Sequence, residues 1–350
     1  MFNGFDLSTI SNCYIGSTAA SAIYYGSQLI WPTTPPPHDY SQDYLTIVST
    51  SNNNSIGWKC ADQTQAGVKS ISISTDNGTT WTQYTSTYAG TLLTTLNNGD
   101  KMLIKSTDFA GTSIQVPNSF TSTGSFNVEG TFMSIVYGDN FLNWSFIGND
   151  TNFVGLFGDC IYLVSAENLI LSATTIRDFC YESLFNGCTS LIAAPELPAT
   201  DVGSLSYAWM FCDCVALINP PVMPSTLTIH ESTCEAMFKN CTSMTTSPSI
   251  TFTNATQYAF QDMFNGCVAL TTAPEIHAAK LKDCSCRRMF KGCSSLNYIK
   301  CLATDISGTY CTTDWVDGVA ATGTFVKDAS MTSWTTGIDG IPSGWTLQNA

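Results

Sequence analysis

The chain has 350 residues, of which only 11% are charged, and 13 Lys and Arg residues leave a formal net charge of −14. Because about a quarter of residues are usually charged, this scarcity, with abundant Thr, Ser, Asn and Gly, indicates β-structure with many turns rather than a helical bundle. The charge balance excludes nucleic acid and disfavours an anionic membrane surface, since both need clustered Lys and Arg.

Residues 1–31 predict a small β-hairpin element. The echo "YIGS" and "YYGS", at 14–17 and 24–27, alternates with short β-type runs that bury too little surface to stand alone. We therefore expect this element to dock on another protein. The residues predicted to make that contact are Tyr14, Ile15, Tyr24, Tyr25, Leu29 and Trp31. Residues 32–39 hold three consecutive prolines and predict a stiff linker.

The N-terminus contains neither Lys nor Arg in its first 17 residues and no uninterrupted apolar core. It is unlike a secretory signal peptide, and no apolar run is long enough to span a bilayer. We therefore expect a protein that folds in the cytoplasm and is not inserted into a membrane.

Residues 40–150 predict β-structure throughout. The firmest local prediction is a hairpin that turns at Asp76-Asn77-Gly78, because Asn-Gly supplies the positive φ angles of a tight turn. The run at 124–138, "GSFNVEGTFMSIVYG", predicts one or two further strands. We expect a small immunoglobulin-like β-sandwich with Trp58 and Trp81 in or near its core.

From residue 151 a repeat of 26 to 28 residues predicts a solenoid of about six turns, ending near residue 305. Each copy has an aromatic, a Cys three residues later and an aliphatic residue three further on. The predicted core columns are Phe157, Phe185, Phe211, Phe238, Phe264 and Phe290; Cys188, Cys214, Cys241, Cys267 and Cys293; and Leu191, Leu217, Leu270 and Leu296.

Each turn is predicted to contain a short helix, ended by Asn-Gly or Lys-Gly, and a short strand closed by proline. The remainder, 306–350, leaves the repeat period. It predicts a C-terminal cap built on Trp315, Trp334 and Trp345, because a solenoid end would otherwise expose its core.

The stretches "LFNGCTSLIAAPELPATDV" at 184–202 and "MFNGCVALTTAPEIHAAKL" at 263–281 resemble the BspA-type leucine-rich repeats. The order of an N-terminal hairpin, a β-sandwich and such repeats resembles virion fibre or appendage proteins of crAss-like phages of gut Bacteroidetes. This resemblance implies a virion protein that is assembled in the host cytoplasm, docks on other virion proteins by its N-terminus and presents its repeats to the host surface.

No pattern predicts catalysis, a metal site or a cofactor. The cysteines recur once per turn along an axis, whereas zinc sites need converging pairs, and Cys212/Cys214 and Cys284/Cys286 lie in non-adjacent turns. The three histidines pair with no nucleophile motif. Glu196 and Glu275 share one repeat position, so a structural role accounts for them better than glycoside hydrolysis. We expect a protein that is not an enzyme.

The expected function is adhesion to a host glycan or protein, with self-association left open. Tyr207, Trp209, Tyr258 and Tyr298 are the aromatics predicted to make surface contacts. The alternative is a bacterial cell-surface adhesin with the same repeats, which would need an export signal.

Overall fold

The computed structural model describes residues 39, 42–61, 63–64, 67–109, 117–143, 153–225 and 227–350, and the backbone of four short strands before residue 32. Residues 1–39 form one compact unit and residues 40–350 form the other.

In the first unit, β1 (Cys13–Ile15) pairs antiparallel with β2 (Thr18–Ala20), and β3 (Ile23–Tyr25) pairs antiparallel with β4 (Gln28–Trp31). The residues predicted to dock lie on three of these strands: Tyr14 and Ile15 on β1, Tyr24 and Tyr25 on β3, and Leu29 and Trp31 on β4. The prolines of the linker lie outside the described residues. Docking through this unit stays a prediction.

The second unit begins with two sheets. Their strands are β5 (Leu45–Ser49), β6 (Asn54–Cys60), β7 (Ser70–Ser74), β8 (Thr82–Thr85), β9 (Thr91–Leu96), β10 (Lys101–Lys105), β11 (Asn118–Ser122), β12 (Phe126–Thr131) and β13 (Leu163–Ile170). One sheet has the order β13-β12-β5-β10-β7-β8, and the other has the order β11-β6-β9. All pairs are antiparallel except β12 with β13. Alternating buried residues along β6 and β10 meet in one core around Trp58, which is fully buried.

The predicted hairpin is confirmed, because β7 and β8 pair antiparallel on either side of the turn. Asn77 and Gly78 have φ angles of 56° and 83°, as the Asn-Gly turn requires. The Ser74 hydroxyl donates to Asp76 Oδ1 at 2.7 Å, and the Trp81 indole N–H donates to the Gly78 carbonyl at 3.1 Å. Trp81 is only half-buried, beside this turn.

Of the one or two strands predicted at 124–138, the structure forms one, β12; residues Met133–Tyr137 form helix α1, and Gly138–Asn143 follow as a 3-10 helix. The sequence of a short apolar run is compatible with either a helix or a strand. Here Ser134 decides the outcome: its hydroxyl donates to the Ile104 carbonyl at 2.9 Å and accepts the Leu45 N–H at 2.9 Å. These bonds fix the segment against β5 and β10.

The solenoid has about seven turns, from residue 175 to residue 349, and very little helix. Its strands form two parallel sheets, β14-β15-β16 and β17-β18-β19-β20-β21. Their bounds are β14 (Thr175–Ile176), β15 (Asp201–Val202), β16 (Thr228–Ile229), β17 (Thr251–Phe252), β18 (Glu275–Ile276), β19 (Tyr298–Cys301), β20 (Thr324–Lys327) and β21 (Thr346–Asn349).

The segment predicted as a cap continues the solenoid instead, because β20 and β21 extend the parallel sheet in register with β19. Trp315 takes the place of the repeat phenylalanine, with its ring centroid 6.1 Å from that of Phe290. Trp334 stacks on Trp315 at 5.3 Å and closes this end of the aromatic column. The tryptophans thus cover the core, as predicted, but within a further turn of the same architecture.

In the turns that the structure describes, the predicted short helix is absent. In its place, every second N–H bonds to the carbonyl three residues earlier, and the N–H groups between them bond to the next turn, as when the Tyr181 N–H donates to the Ser206 carbonyl at 3.1 Å. The φ angle is positive at every fourth residue, for example at Tyr258, Asp262 and Gly266. An α-helix would bond only within its own segment, whereas this series of turns pairs each turn with its neighbour.

One hydrophobic core runs through the whole second unit. The Phe120 ring of β11 stacks on Phe157 at 5.5 Å, and from there the repeat phenylalanines stack turn upon turn at 5.4 to 5.9 Å between ring centroids. The two-sheet part and the solenoid are therefore packed together without an apolar break.

Candidate functional site

The cysteine column makes a regular set of hydrogen bonds that sequence reasoning missed. Each thiol donates to the carbonyl of the phenylalanine one turn earlier; Cys267, for example, donates to Phe238 at 2.9 Å. The same geometry, at 3.0 to 3.1 Å, recurs at Cys188, Cys214, Cys241 and Cys293. That phenylalanine carbonyl also accepts the N–H of its own turn's cysteine. Cysteine thus combines a small apolar body with one donor.

These thiols are inert. All fourteen cysteines with described side chains are free and buried. Burial raises the pKa of the Cys293 thiol to about 12 and that of Cys267 well above its usual value, so both stay protonated near neutral pH. In the described part of the chain, no three His, Cys, Asp or Glu residues converge in a way that could hold a metal ion.

Replacing Cys267 with Ala should lower the free energy of unfolding by about 1–2 kcal/mol, from one lost hydrogen bond and a small cavity. The Phe238 carbonyl keeps the Cys241 N–H, so no buried acceptor is left without a donor. Cys267→Ser, which retains a donor, should lose less than Cys267→Ala in urea unfolding. Equal losses would show that the thiol contributes packing alone.

The predicted repeat core is buried throughout: every Phe, Cys and Leu named for it is 0% exposed. The four aromatic residues predicted to make surface contacts differ in their exposure. Tyr207 is fully buried and stacks on Tyr181 at 6.4 Å, so its choice as a surface contact was wrong. Its position on the inward side of the turn resembles that of the core aromatics. Trp209, Tyr258 and Tyr298 are half-buried on the outer surface and remain candidates.

A patch of exposed apolar side chains lies on the first turns of the repeat. We define the apolar patch as Ile161, Tyr162, Ile192, Val215, Ile218 and Val222, which are 38% to 67% exposed. Two of its members lie side by side on adjacent turns, since the Ile218 N–H donates to the Ile192 carbonyl at 3.1 Å. Single exposed apolar residues are ordinary, whereas contiguous exposed apolar groups are uncommon on monomeric proteins.

The repeat itself does not require these apolar residues. The position after the core aliphatic is Ile192 and Ile218 in two early turns, but Thr245, Thr271 and Asn297 later. In a later turn, the threonine hydroxyl at this position bonds to the backbone of the preceding turn: Thr271 Oγ1 donates to the Thr245 carbonyl at 3.2 Å. An isoleucine cannot do this, so the solenoid's own stability does not explain the aliphatic choice.

Charge is distributed unevenly along the repeats. Residues 153–225, which carry the apolar patch, contain seven acidic residues and one basic residue, Arg177, whereas residues 227–310 contain six acidic and seven basic. The patch is thus set in an acidic half of the solenoid. A partner surface with basic groups around an apolar centre would complement it.

A groove of about 280 Å³ crosses three turns on the β14-β15-β16 sheet. Its walls are Ile176, Arg177, Asp178, Asp201, Gly203, Thr228 and His230. His230 Nε2 lies 3.5 Å from Asp201 Oδ1, and Asp178 Oδ1 accepts the Ser204 N–H at 2.8 Å. A Cβ at position 203 would come within 2.6 Å of the backbone of Arg177 and Asp178, so glycine permits this close approach. The groove offers donors and acceptors, but no nucleophile with a base beside it.

The two glutamates considered for hydrolysis have different surroundings. Glu196 is exposed, and Glu275 accepts from His277 at 2.7 Å and from Lys300 at 3.0 Å. The Lys300 and His277 contacts lower the pKa of Glu275, which favours an ionised carboxylate rather than a general acid.

Glu235 makes the stability of the solenoid depend on pH. Burial raises its pKa above the usual 4.5, although Ser232 and Gln261 hydrogen-bond to it. Because the folded state then binds the proton more tightly, Glu235 lowers stability as pH rises above about 4.5. Glu235→Gln should therefore raise the melting temperature at about pH 7 and leave it nearly unchanged at about pH 4. A gain of equal size at both values in thermal unfolding would contradict this assignment.

Comparison with known proteins finds no match: no protein-family model, curated protein or solved structure is significantly similar to this chain. Across the described residues, no helix has both the length and the apolar character needed to cross a bilayer.

Proposed function

We propose that this protein is a non-enzymatic surface-binding protein that presents the early turns of its solenoid to a partner. The apolar patch carries the proposal, because Ile192 and Ile218 are exposed at positions where the repeat elsewhere uses threonine or asparagine. Exposing such groups to water costs free energy that a bound partner would recover.

In the fuller form of this proposal the protein is a virion fibre or appendage subunit of a phage, and the partner is a host-surface glycan or protein. The BspA-type repeat motifs and the order of the segments support it. So do the two strand pairs of residues 13–31, which suit a small element that docks on another virion protein. The two sheets of β5 to β12, packed around Trp58, support an immunoglobulin-like sandwich as the spacer.

Binding to host cells tests the adhesive role. Ile192→Thr together with Ile218→Thr introduces residues that the repeat accepts at these positions, so the fold should persist. We expect the labelled double variant to bind cells of the Bacteroidetes host at least about tenfold more weakly, since each apolar carbon group withdrawn from the contact costs about 0.8 kcal/mol and about 1.4 kcal/mol in total is a tenfold change. Thr245→Ser with Thr271→Ser is the matched control, and undiminished binding by the isoleucine variant would overturn the role of the patch.

Particle incorporation tests the docking role of the N-terminal unit. Tyr24→Asp and Trp31→Asp, placed on β3 and β4, should exclude the protein from purified particles, because a buried unpaired carboxylate is strongly unfavourable. Asp39→Asn, a change at the residue that ends this unit, is the control and should leave incorporation unchanged. Normal incorporation of both aspartate variants would refute docking through these strands.

The alternative, a bacterial cell-surface adhesin, uses the same patch but a different location. Antibody labelling distinguishes the two: an adhesin would decorate uninfected cells, whereas a virion protein would be found on purified particles. This comparison decides the location without reference to the binding test.

A further inference from the structure

Strand β21 has one edge without a partner strand among the described residues. Strand β21 pairs parallel with β20 along its inner edge. In the described part of the chain, no strand pairs with its outer edge. The strand contains no Lys, Arg or Pro, the residues with which proteins commonly block an exposed edge.

The backbone of β21 shows which groups are available. The Thr346 N–H donates to the Gly323 carbonyl at 2.8 Å, and the Ala350 N–H donates to the Lys327 carbonyl at 2.9 Å. Because N–H direction alternates along a strand, the N–H groups of Leu347 and Asn349 point away from β20. These two residues therefore present an outward donor and acceptor each.

This outward edge is complementary to itself. In an antiparallel pair with its two-fold axis at Gln348, Leu347 of one copy would face Asn349 of the other. Residues facing each other in this register exchange both of their hydrogen bonds, which gives about four across the pair. The outer edge of β21 can form this two-fold symmetric pair with the backbone conformation that it already has.

Charge and exposed apolar surface at this end also favour a second copy. With a net charge of −14, two copies repel each other wherever acidic residues meet. Residues 329–350 contain a single charged side chain, Asp339. Leu347 is 48% exposed, and Ile338 and Tyr310, in or next to this last turn, are 49% and 65% exposed. The end of the solenoid thus carries a single charged side chain over its last 22 residues and exposes apolar side chains to water.

We propose that two copies of the chain associate end to end through antiparallel pairing of their β21 strands, which joins the two solenoid sheets into one continuous sheet. The contact is isologous, so it closes at two copies and does not propagate into a filament. Since a strand of four residues buries far less than a standard interface, association is expected with a dissociation constant on the order of 10–100 µM.

Sedimentation velocity of the full chain over a concentration series tests this proposal. The wild type should pass from monomer to dimer and no further. Leu347→Pro removes only an outward N–H, so the ladder to β20 stays intact, and it should weaken dimerisation at least about tenfold. Leu347→Lys, which retains the N–H but adds a charge beside the axis, is the second variant and should also weaken it.

Gln348→Thr is the matched control, because the Gln348 N–H faces β20, and it should dimerise as the wild type does. Melting temperatures establish that each variant is folded. A wild type that stays monomeric throughout the series would overturn the proposal. Undiminished dimerisation of folded Leu347→Pro would do so as well, because the copies would then meet through another surface.

Discussion

Replacing Phe238 with Ala should lower the free energy of unfolding by about 3–5 kcal/mol, the range for a fully buried phenylalanine. Phe238 is 0% exposed, and its ring stacks on Phe211 at 5.6 Å and on Phe264 at 5.5 Å. Both neighbours lose contact surface when the ring is removed. Because they are held by the hydrogen bonds of their own turns, they cannot close the cavity.

Urea unfolding measures the total loss, and hydrogen exchange shows where it is felt. Since a solenoid turn contacts only its neighbours, protection should fall most in the turns of Phe211 and Phe264. Phe238→Leu, which refills most of the space, is the control and should cost less than half as much. A loss below about 1 kcal/mol for Phe238→Ala would mean that the column can collapse around the gap.

Replacing Arg288 with Ala should have the second largest effect, a loss of about 2–3 kcal/mol, because it leaves a buried carboxylate without its partner. Arg288 Nε and Nη2 donate to the two carboxylate oxygens of Asp262 at 2.9 and 2.7 Å. The Asp262 side chain is 7% exposed and that of Arg288 is 33% exposed. Partial exposure of Arg288 places the expected loss below the 3–5 kcal/mol typical of a fully buried pair.

Asp262→Asn in the Arg288→Ala background supplies the diagnostic comparison. It removes the unpaired charge and keeps an acceptor for the Asn265 amide, which donates to Asp262 Oδ1 at 2.6 Å. The double variant should recover more than half of the loss in urea unfolding. Arg287→Ala, the neighbouring arginine, is the control for removing a positive charge and should change stability little. A double variant as unstable as Arg288→Ala would show that packing of the arginine stem matters more than the charge.

The repeat made the core of the solenoid predictable, because spacing and identity agree over six copies. It did not make the turn geometry predictable, since "YESLF" and similar runs contain good helix formers. The residues with positive φ just before each repeat cysteine are Asp159, Gly187, Asp213, Asn240, Gly266 and Gly292. All are types that tolerate the left-handed region, but a helix also needs one such residue at its end, so this column does not distinguish the two structures. The further positive φ angles fall on residues such as Leu205, Trp209 and Tyr258, whose types do not predict them.

Other features depended on contacts between distant parts of the chain. Strand β13 joins a sheet whose other members end at residue 131, and the Cys160 thiol donates to the Phe120 carbonyl at 3.1 Å. The sequence around each of these segments gives no indication of the segment that it contacts. The apolar patch was overlooked for a different reason: aromatics were sought as surface contacts, whereas the exposed residues that break the repeat's preference are mostly aliphatic.

The contact of Phe120 with the turn that follows it also suggests the direction in which the solenoid folds. The turn that contains Phe157 rests on β11, which supplies a stacking ring and a carbonyl acceptor. A repeat array can begin to fold at any turn, and we expect it to begin where a turn already has a surface to pack on. Here the sheet that contains β11 provides that surface. Ordering should therefore proceed from residue 157 toward residue 349. The two-sheet region would act as the template for the first turn. Each turn, once formed, would then be the surface on which the next turn packs.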